Sequence, residues 1–365
     1  MAEIIIQNLR KEFGDFTAVH ASSFTVEDGD FFMLLGPSGC GKTTTLRMIA
    51  GLEMPTAGEI YIGGDEVSQK PASQRDIAFV FQMFALYPHM NVRKNLTYPL
   101  VSQGMKRAAV NAKLKEVVDI LGIHDILNKP VGGLSGGDRQ RVALGRAIVR
   151  DPKAFMMDEP LGALDSEFRE HMAEELRALH DRMNATTVYV THDQLEAMQM
   201  GDRIVVMNHG VVEQFGTPRD IYDKPATLFV ADFIGSPSMN FLSFNGAVNR
   251  GDSSVKLGEH TLSVPMQHHR MEGDLVFGVR PEHIVLSDDG SYRGEILATE
   301  YLGHNQIVTV QTEHGVARAR TESIHHYTVG DSIGMTFNSE TVTLFDQQTG
   351  AANPSVLNEG VVSHG

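Results

Sequence analysis

Gly36-Pro37-Ser38-Gly39-Cys40-Gly41-Lys42-Thr43 fits the phosphate-loop pattern GxxxxGK[ST] at every fixed position. Glycines let such a loop curl until successive N–H groups point inward and form a concave anion nest. Lys42 is then placed to reach terminal phosphates, and the Thr43 hydroxyl to ligate a Mg²⁺. The flanks agree. Phe31-Phe32-Met33-Leu34-Leu35 reads as a buried strand entering the loop. Thr44-Thr45-Leu46-Arg47-Met48-Ile49-Ala50 reads as a helix stopped by Gly51, so its N-terminus faces whatever the loop holds. Gly36, Pro37, Ser38, Gly39, Cys40, Gly41, Lys42, Thr43 and Thr44 are the candidate nucleotide contacts. The stretch implies an α/β phosphate-loop fold and binding of a nucleoside triphosphate.

Working outward, a chain of 365 residues suggests two or three domains with ample core. Its net charge of −15 argues against a nucleic-acid partner, because phosphate-backbone binding needs clustered Lys and Arg. Cys40 is the sole cysteine, which excludes an internal disulfide and suits a reducing compartment. Glu3 and Gln7 interrupt the short Ile4-Ile5-Ile6 run, so nothing resembles a signal peptide. No apolar run is long enough to span a bilayer. A membrane role is therefore expected to come through a partner.

The first half alternates strand-like runs with helical periodicity, as in α/β domains. Ile77-Ala78-Phe79-Val80, Ala154-Phe155-Met156-Met157, Thr187-Val188-Tyr189-Val190 and Ile204-Val205-Val206-Met207 are the strand candidates. Val110, Leu114, Val117 and Leu121 share one helical face, as do Phe168, Met172, Leu176, Leu179 and Met183. Past Phe233 the texture changes to short strands separated by Gly, Asp and Ser turns. Leu275 to Val279, Gly294 to Leu297 and Gln306 to Val310 are examples, and the pattern suggests a small β-barrel or sandwich. The Gly-, Asn- and Ser-rich tail after Asp346 reads as loosely ordered.

Further segments narrow the class. Gln82 follows the strand at Ile77. Leu134-Ser135-Gly136-Gly137-Asp138 precedes a helical stretch. Asp158-Glu159 ends an apolar strand and is followed by Pro160 and Leu161-Gly162-Ala163-Leu164-Asp165, and Val190-Thr191-His192-Asp193 ends another. In this order and spacing, residues 1 to 235 resemble the ATP-binding subunit of ABC transporters. The resemblance implies an ABC ATPase with a helical subdomain over about 84–150 and ATP and Mg²⁺ as ligands. Asp158 would hold Mg²⁺, together with Thr43 and Gln82. Glu159 would polarise the attacking water, a task that suits a carboxylate acceptor. His192 would be the switch histidine at the γ-phosphate, and Gln82 would also sense the membrane partner. Phe13 would stack on adenine, although Phe16 stands three residues on. Ser135, Gly136 and Gly137 would meet the γ-phosphate bound by a second subunit, homomeric or paralogous, with Asp165 across that interface.

Two departures from the family pattern stand out. Asp138 occupies a place where Gln is usual, and Gly162-Ala163 replace a frequent Ser-Asn. Ser135 and the glycines are expected to carry the phosphate contacts, so that activity survives; a weakened site in a heterodimer is the other possibility.

The second domain, 236–365, points to importers. Phe233-Ile234-Gly235-Ser236-Pro237-Ser238-Met239-Asn240-Phe241 resembles the junction of the maltose and glycerol-3-phosphate importer subfamily. Gly278-Val279-Arg280-Pro281-Glu282-His283 resembles its transport-associated OB-type (TOBE) domain. The resemblance implies an ATPase on the cytoplasmic face of the inner membrane that energises import of a carbohydrate, polyol or glycerol-type solute. Its partners would be two permease subunits and, through them, a solute-binding protein. Rival readings are a polyamine, iron or sulfate importer, and a regulatory module with secondary hydrolysis. Phe84-Ala85-Leu86-Tyr87-Pro88-His89-Met90 is the expected docking groove for the permease. His268-His269 and His325-His326 lack Cys or acidic neighbours at ligand spacing and read as solvated.

Overall fold

A computed structural model describes residues 2–162, 164, 166–183 and 185–361, without the side chains of 166–168. Asp165 and Ala163 thus lie outside the described residues, as does the side chain of Phe168. The chain divides into two compact units, residues 1–212 and 213–364.

In the first unit, β1 (Ile4–Phe13), β2 (Phe16–Val26), β4 (Ala57–Ile62) and β5 (Asp65–Glu66) form an antiparallel sheet in the order β2-β1-β4-β5. Its strands alternate buried and exposed residues, the mark of a sheet packed on one face.

The second sheet builds the site. Its members are β3 (Phe31–Leu35), β6 (Ile77–Val80), β7 (Ala154–Asp158), β8 (Thr186–Thr191), β9 (Arg203–Asn208) and β10 (Val211–Gly216), ordered β10-β9-β3-β8-β7-β6. The division between the units falls within β10. β9, β3, β8, β7 and β6 pair in parallel. β3, β7 and β8 are buried along their whole lengths, because crossover helices cover both faces of a parallel sheet. Among them are α1 (Lys42–Ala50), packed on β7 and β8, α5 (Ser166–Met183) and α6 (Gln194–Met200), which packs on β3 and β8. The apolar runs expected as strands lie inside β6 to β9.

α2 (Val92–Ser102), α3 (Arg107–Leu121) and α4 (Gly136–Ile148) enclose a separate cluster that includes Val92, Leu96, Leu114, Val118, Leu134 and Val142. The expected apolar face of α3 is buried at Val110, Leu114 and Val117.

Arg75 closes the far end of α1. It is 2% exposed, and donates to the carbonyls of Met48 (2.6 Å), Ile49 (2.9 Å), Lys70 (2.7 Å) and Ser68 (3.0 Å). A cation there complements the negative end of the helix, while burial pushes its guanidinium down to about 10.

In the second unit, after α7 (Pro218–Asp223) and α8 (Leu228–Phe233), ten strands run as β11 (Asn240–Val248), β12 (Ser254–Leu257), β13 (His260–Ser263), β14 (Met271–Val279), β15 (Ile284–Ser287), β16 (Tyr292–Tyr301), β17 (Asn305–Thr312), β18 (Gly315–Glu322), β19 (Ser332–Phe337) and β20 (Thr343–Asp346). They form sheets β11-β14-β20 and β15-β19-β16-β17-β18 with the hairpin β12-β13, around one core that includes Leu242, Phe277, Tyr292, Val308 and Leu344. Arg280 is 1% exposed, lies over the Tyr222 ring, and donates to the carbonyls of Tyr222, Ala231 and Ile234.

The tail after Asp346 differs from its sequence reading. Asn353, Ser355 and Asn358 are buried. Asn353 donates to Gln267 Oε1 (2.8 Å), and Asn358 Oδ1 accepts from the Ser355 N–H (2.7 Å). Backbone hydrogen bonds from His268 to Pro354 and from Val356 to Met266 pin the segment. The Asn and Ser that make a tail look polar also satisfy backbone groups locally, and here they build order.

Replacing Arg75 by Met should remove the guanidinium donor from four carbonyls, of which that of Met48 keeps the Gly51 N–H at 3.1 Å, at a cost of about 3 kcal/mol. The expected outcome is a fall of about 5–10 °C in the melting transition of the first unit, read by calorimetry.

Candidate functional site: a phosphate loop on four parallel strand ends

Parallel pairing decides where the chemistry collects. Leu35 pairs with Thr191 across β3 and β8, Asp158 with Val190 across β7 and β8, and Val80 with Met157 across β6 and β7. All four strands therefore end side by side, and their loops carry the phosphate loop, His192, Glu159 and Gln82. The crevice outside the carboxyl ends of such a sheet is where open α/β folds take their ligands.

The loop itself is wedged into place. A Cβ at Gly36 would lie 2.2 Å from the Met207 carbonyl oxygen, and one at Gly41 2.7 Å from that of Ala18. Gly41 also has φ of 104°, a value that side chains resist. A Cβ at Gly39 would meet nothing within 4 Å, so the crest of the loop faces open space. Lys42 is 4% exposed and donates to the carbonyls of Gly36 (2.8 Å) and Pro37 (2.9 Å), with Cys40 Sγ 3.8 Å away. Burial pushes the Cys40 thiol up, which keeps it protonated and inert.

Thr43, at the start of α1, donates its hydroxyl to Asp158 Oδ1 at 2.9 Å. An alcohol and a carboxylate side by side are the hard oxygen donors that suit Mg²⁺, which takes few protein ligands and keeps its remaining places for water and phosphate. Burial raises the Asp158 carboxyl above its ordinary value against the opposing Thr43 hydrogen bond and Arg47 charge.

Glu159 gathers the rest. Its two carboxylate oxygens meet Gln82 Nε2 at 3.3 Å and His192 Nδ1 at 3.2 Å. Its backbone takes φ of 44°, left-handed for a residue with a side chain, a strain that surrounding structure must hold. The N–H bond from Glu159 to the Val190 carbonyl (3.0 Å) supplies part of that hold.

Ser135 caps α4 by accepting from the Asp138 N–H at 3.1 Å, which leaves its hydroxyl proton to donate outward. The hydrogen bonds of Ser135 are local to α4, and no described bond joins it to residues 36–44. Asp138 lies in the first turn of α4, 3.7 Å from Arg141, so its charge complements both the helix N-terminus and that guanidinium. Phe13 and Phe16 pair across the β1–β2 turn and are 48% and 64% exposed, so neither ring is core. Phe13 carries Lys11 Nζ 4.8 Å above its ring.

Of residues 84–90, Tyr87 lines a cleft of about 310 Å³ together with Phe79, Tyr98, Pro99, Arg146 and Arg150 among others. Arg146 holds its edge by donating to the carbonyls of Phe84 (3.1 Å) and Ala85 (2.6 Å), two residues in left-handed backbone.

Sequence reasoning passed over Arg169, Tyr189 and Glu196, which brace the His192 loop. Asp193 caps α6 and Glu196 stands three residues later, a spacing that flags a helix start and that could have drawn attention to Glu196.

Phosphate loop, acidic pair and the histidine that meets it, on adjoining parallel strand ends, define a nucleoside-triphosphate-hydrolysing class of protein. The ABC transporter family profile matches residues 19–162, the MalK OB fold domain profile 235–284 and the TOBE domain profile 277–345. The trehalose/maltose import ATP-binding protein MalK of Thermococcus litoralis is 44% identical over 96% of this chain and 100% of its own. The sn-glycerol-3-phosphate import ATP-binding protein UgpC of Ruegeria pomeroyi is 44% identical over 96% and 99%. A dimeric ATP-binding cassette solved in a post-hydrolysis state with ADP and Pi superposes at a TM-score of 0.52 and 31% identity, covering 59% of this chain and 99% of that one. The chain belongs to the import ATP-binding subunits of the ABC transporter family, and it is an ABC-type ATPase.

The electrostatics of Asp158 make a checkable statement. A carboxyl raised in the folded state binds its proton more tightly there than in the unfolded chain. Its ionised form therefore costs stability, an effect fully present above the folded value and absent below the ordinary 3.8. Asp158→Asn should raise the nucleotide-free melting midpoint at neutral pH by about 1–3 °C, with the gain shrinking as pH falls into the acid range. A thermal-shift series against pH checks this.

Proposed function

We propose that this subunit hydrolyses ATP to drive import of a carbohydrate, polyol or glycerol-type solute. The single observation that carries the hydrolytic reading is Glu159, held between Gln82 and His192 beside the hydrogen-bonded Thr43–Asp158 pair. The relatives named for trehalose/maltose and for sn-glycerol-3-phosphate are each 44% identical over 96% of this chain, which supports the solute class.

In this reading the N–H groups of residues 38–44 bind the phosphates, Lys42 holds the floor of the loop positive, and Phe13 offers an exposed ring to adenine. Thr43 and Asp158, with Gln82, would hold Mg²⁺, which would supply positive charge against the phosphate oxygens. Glu159 orients water and takes up its proton as attack proceeds. His192 fixes the Glu159 carboxylate from one side and reaches the γ-phosphate from the other. Water in line with the phosphoryl group is a matter of placement, and placement supplies most of the rate.

A dimer completes the site. Ser135, Gly136 and Gly137, locally bonded and at the start of a thirteen-residue helix, would donate to the phosphates held by a second ATPase subunit, with Asp165 at the same seam. The Tyr87–Arg146 cleft would receive a permease segment; its aromatic rings and guanidinium groups are the residue types enriched at protein interfaces. Among the described residues no helix is long and apolar enough to cross a membrane; attachment to the cytoplasmic face of the inner membrane would run through two permease subunits, which a solute-binding protein loads.

Glu159→Gln is expected to cut Mg²⁺-dependent ATP turnover by about 100-fold or more while leaving ATP binding in place. With the permease present, sugar- or polyol-loaded binding protein should stimulate the wild type. Stimulation by polyamine, iron or sulfate receptors alone would overturn the solute class, and unchanged turnover in Glu159→Gln would overturn the assignment of the base.

A further inference from the structure

The loop that carries His192 is clamped from both sides by groups outside the phosphate site. On one flank, Glu196, 7% exposed, accepts at a single oxygen, Oε2, from the hydroxyls of Thr191 (2.8 Å) and Tyr189 (3.0 Å). Thr191 Oγ1 in turn accepts from the Asp193 N–H at 2.9 Å. On the other flank, Asp193 caps α6 and spends its second oxygen on Arg169 Nη1, 3.3 Å away.

Arg169 reaches past that loop. Its Nη2 donates to the Leu164 carbonyl at 3.0 Å, and its Nε faces Glu196 Oε1 at 3.9 Å, buried and without a hydrogen-bond partner. Leu164 belongs to the segment leaving Glu159, where the Gly162 N–H bonds back to the Glu159 carbonyl at 3.1 Å. One guanidinium therefore ties the loop after Glu159 to the loop after His192. Those loops bear the two side chains that meet at 3.2 Å. A planar fork with fixed N–H directions can serve a carbonyl and two carboxylates together, whereas a lysine ammonium cannot hold that spread.

We propose that Arg169 is a positioning residue for hydrolysis, which sets His192 against Glu159 by bracing the two loops that carry them, with Glu196 as the buried anchor on the far side. The inference rests on reading Glu159 and His192 as the hydrolytic pair. Arg169 touches neither nucleotide site nor reacting atoms in this arrangement; it acts through His192.

The test is a double-mutant cycle on the full chain, with Arg169→Lys and Arg169→Gln each made in wild-type and His192→Ala backgrounds. In the wild-type background both are expected to lower kcat about 10- to 100-fold, with the KM for Mg-ATP and the melting midpoint nearly unchanged. In the His192→Ala background the same substitutions should change kcat less than about 3-fold, because the residue they position is gone. An equal loss in both backgrounds, no loss in either variant, or a parallel loss of Mg-ATP affinity and melting midpoint would overturn the inference. If His192→Ala and Glu159→Gln themselves left turnover intact, the underlying reading would fail instead, and the two failures are told apart by those single variants.

Discussion

The hydrogen bond from Thr43 to Asp158 is the contact on which the rest of the site depends. It joins the first turn of the helix behind the phosphate loop to the end of a neighbouring parallel strand. Parallel pairing of β3, β8, β7 and β6 makes the contact geometrically unavoidable, since strands in register along one edge must deliver their following loops to one crevice. Every other functional side chain is placed relative to that edge.

The arrangement carries local costs. Asp158 and Lys42 are charged groups removed from water, Glu159 sits in left-handed backbone, and burying charge without water is expensive. The surroundings offset these costs with groups that have no part in chemistry. Arg75 satisfies the far end of α1, β3 is buried along its length, and the Val190 carbonyl takes the Glu159 N–H. Stability is stored around the site so that strain can be held within it.

Much of this was legible in the sequence, because its strongest signals are local. Ile77-Ala78-Phe79-Val80 reads as a strand on burial alone and is one to the residue, and Gly51 ends α1 as expected. The order of Gln82, Ser135, Asp158-Glu159 and His192 pointed to the family that the comparisons show. What stayed hidden depends on contacts distant in sequence. Arg169 meets Asp193 twenty-four positions away, and the antiparallel β1-β2-β4-β5 sheet offers only half-buried alternation, a weaker signal than a buried run. The tail was misread because composition reports polarity, while the order of Asn353 and Asn358 comes from where their amides are satisfied. Phe13 and Phe16 illustrate a third case: the sequence favours Phe13 over Phe16 as the ring for adenine, and both rings are exposed at one hairpin end.

The central claim is that the four strand ends form one phosphate-handling site which a second ATPase subunit would complete. It is tested most directly by determining the structure of Glu159→Gln with ATP and Mg²⁺. The account expects a two-fold dimer with the metal between the Thr43 and Asp158 oxygens, the γ-phosphate over Gly39 within reach of His192, and Ser135 of the partner subunit donating to it. Nucleotide bound away from residues 36–43, or a nucleotide-loaded monomer with Ser135 facing solvent, would contradict it.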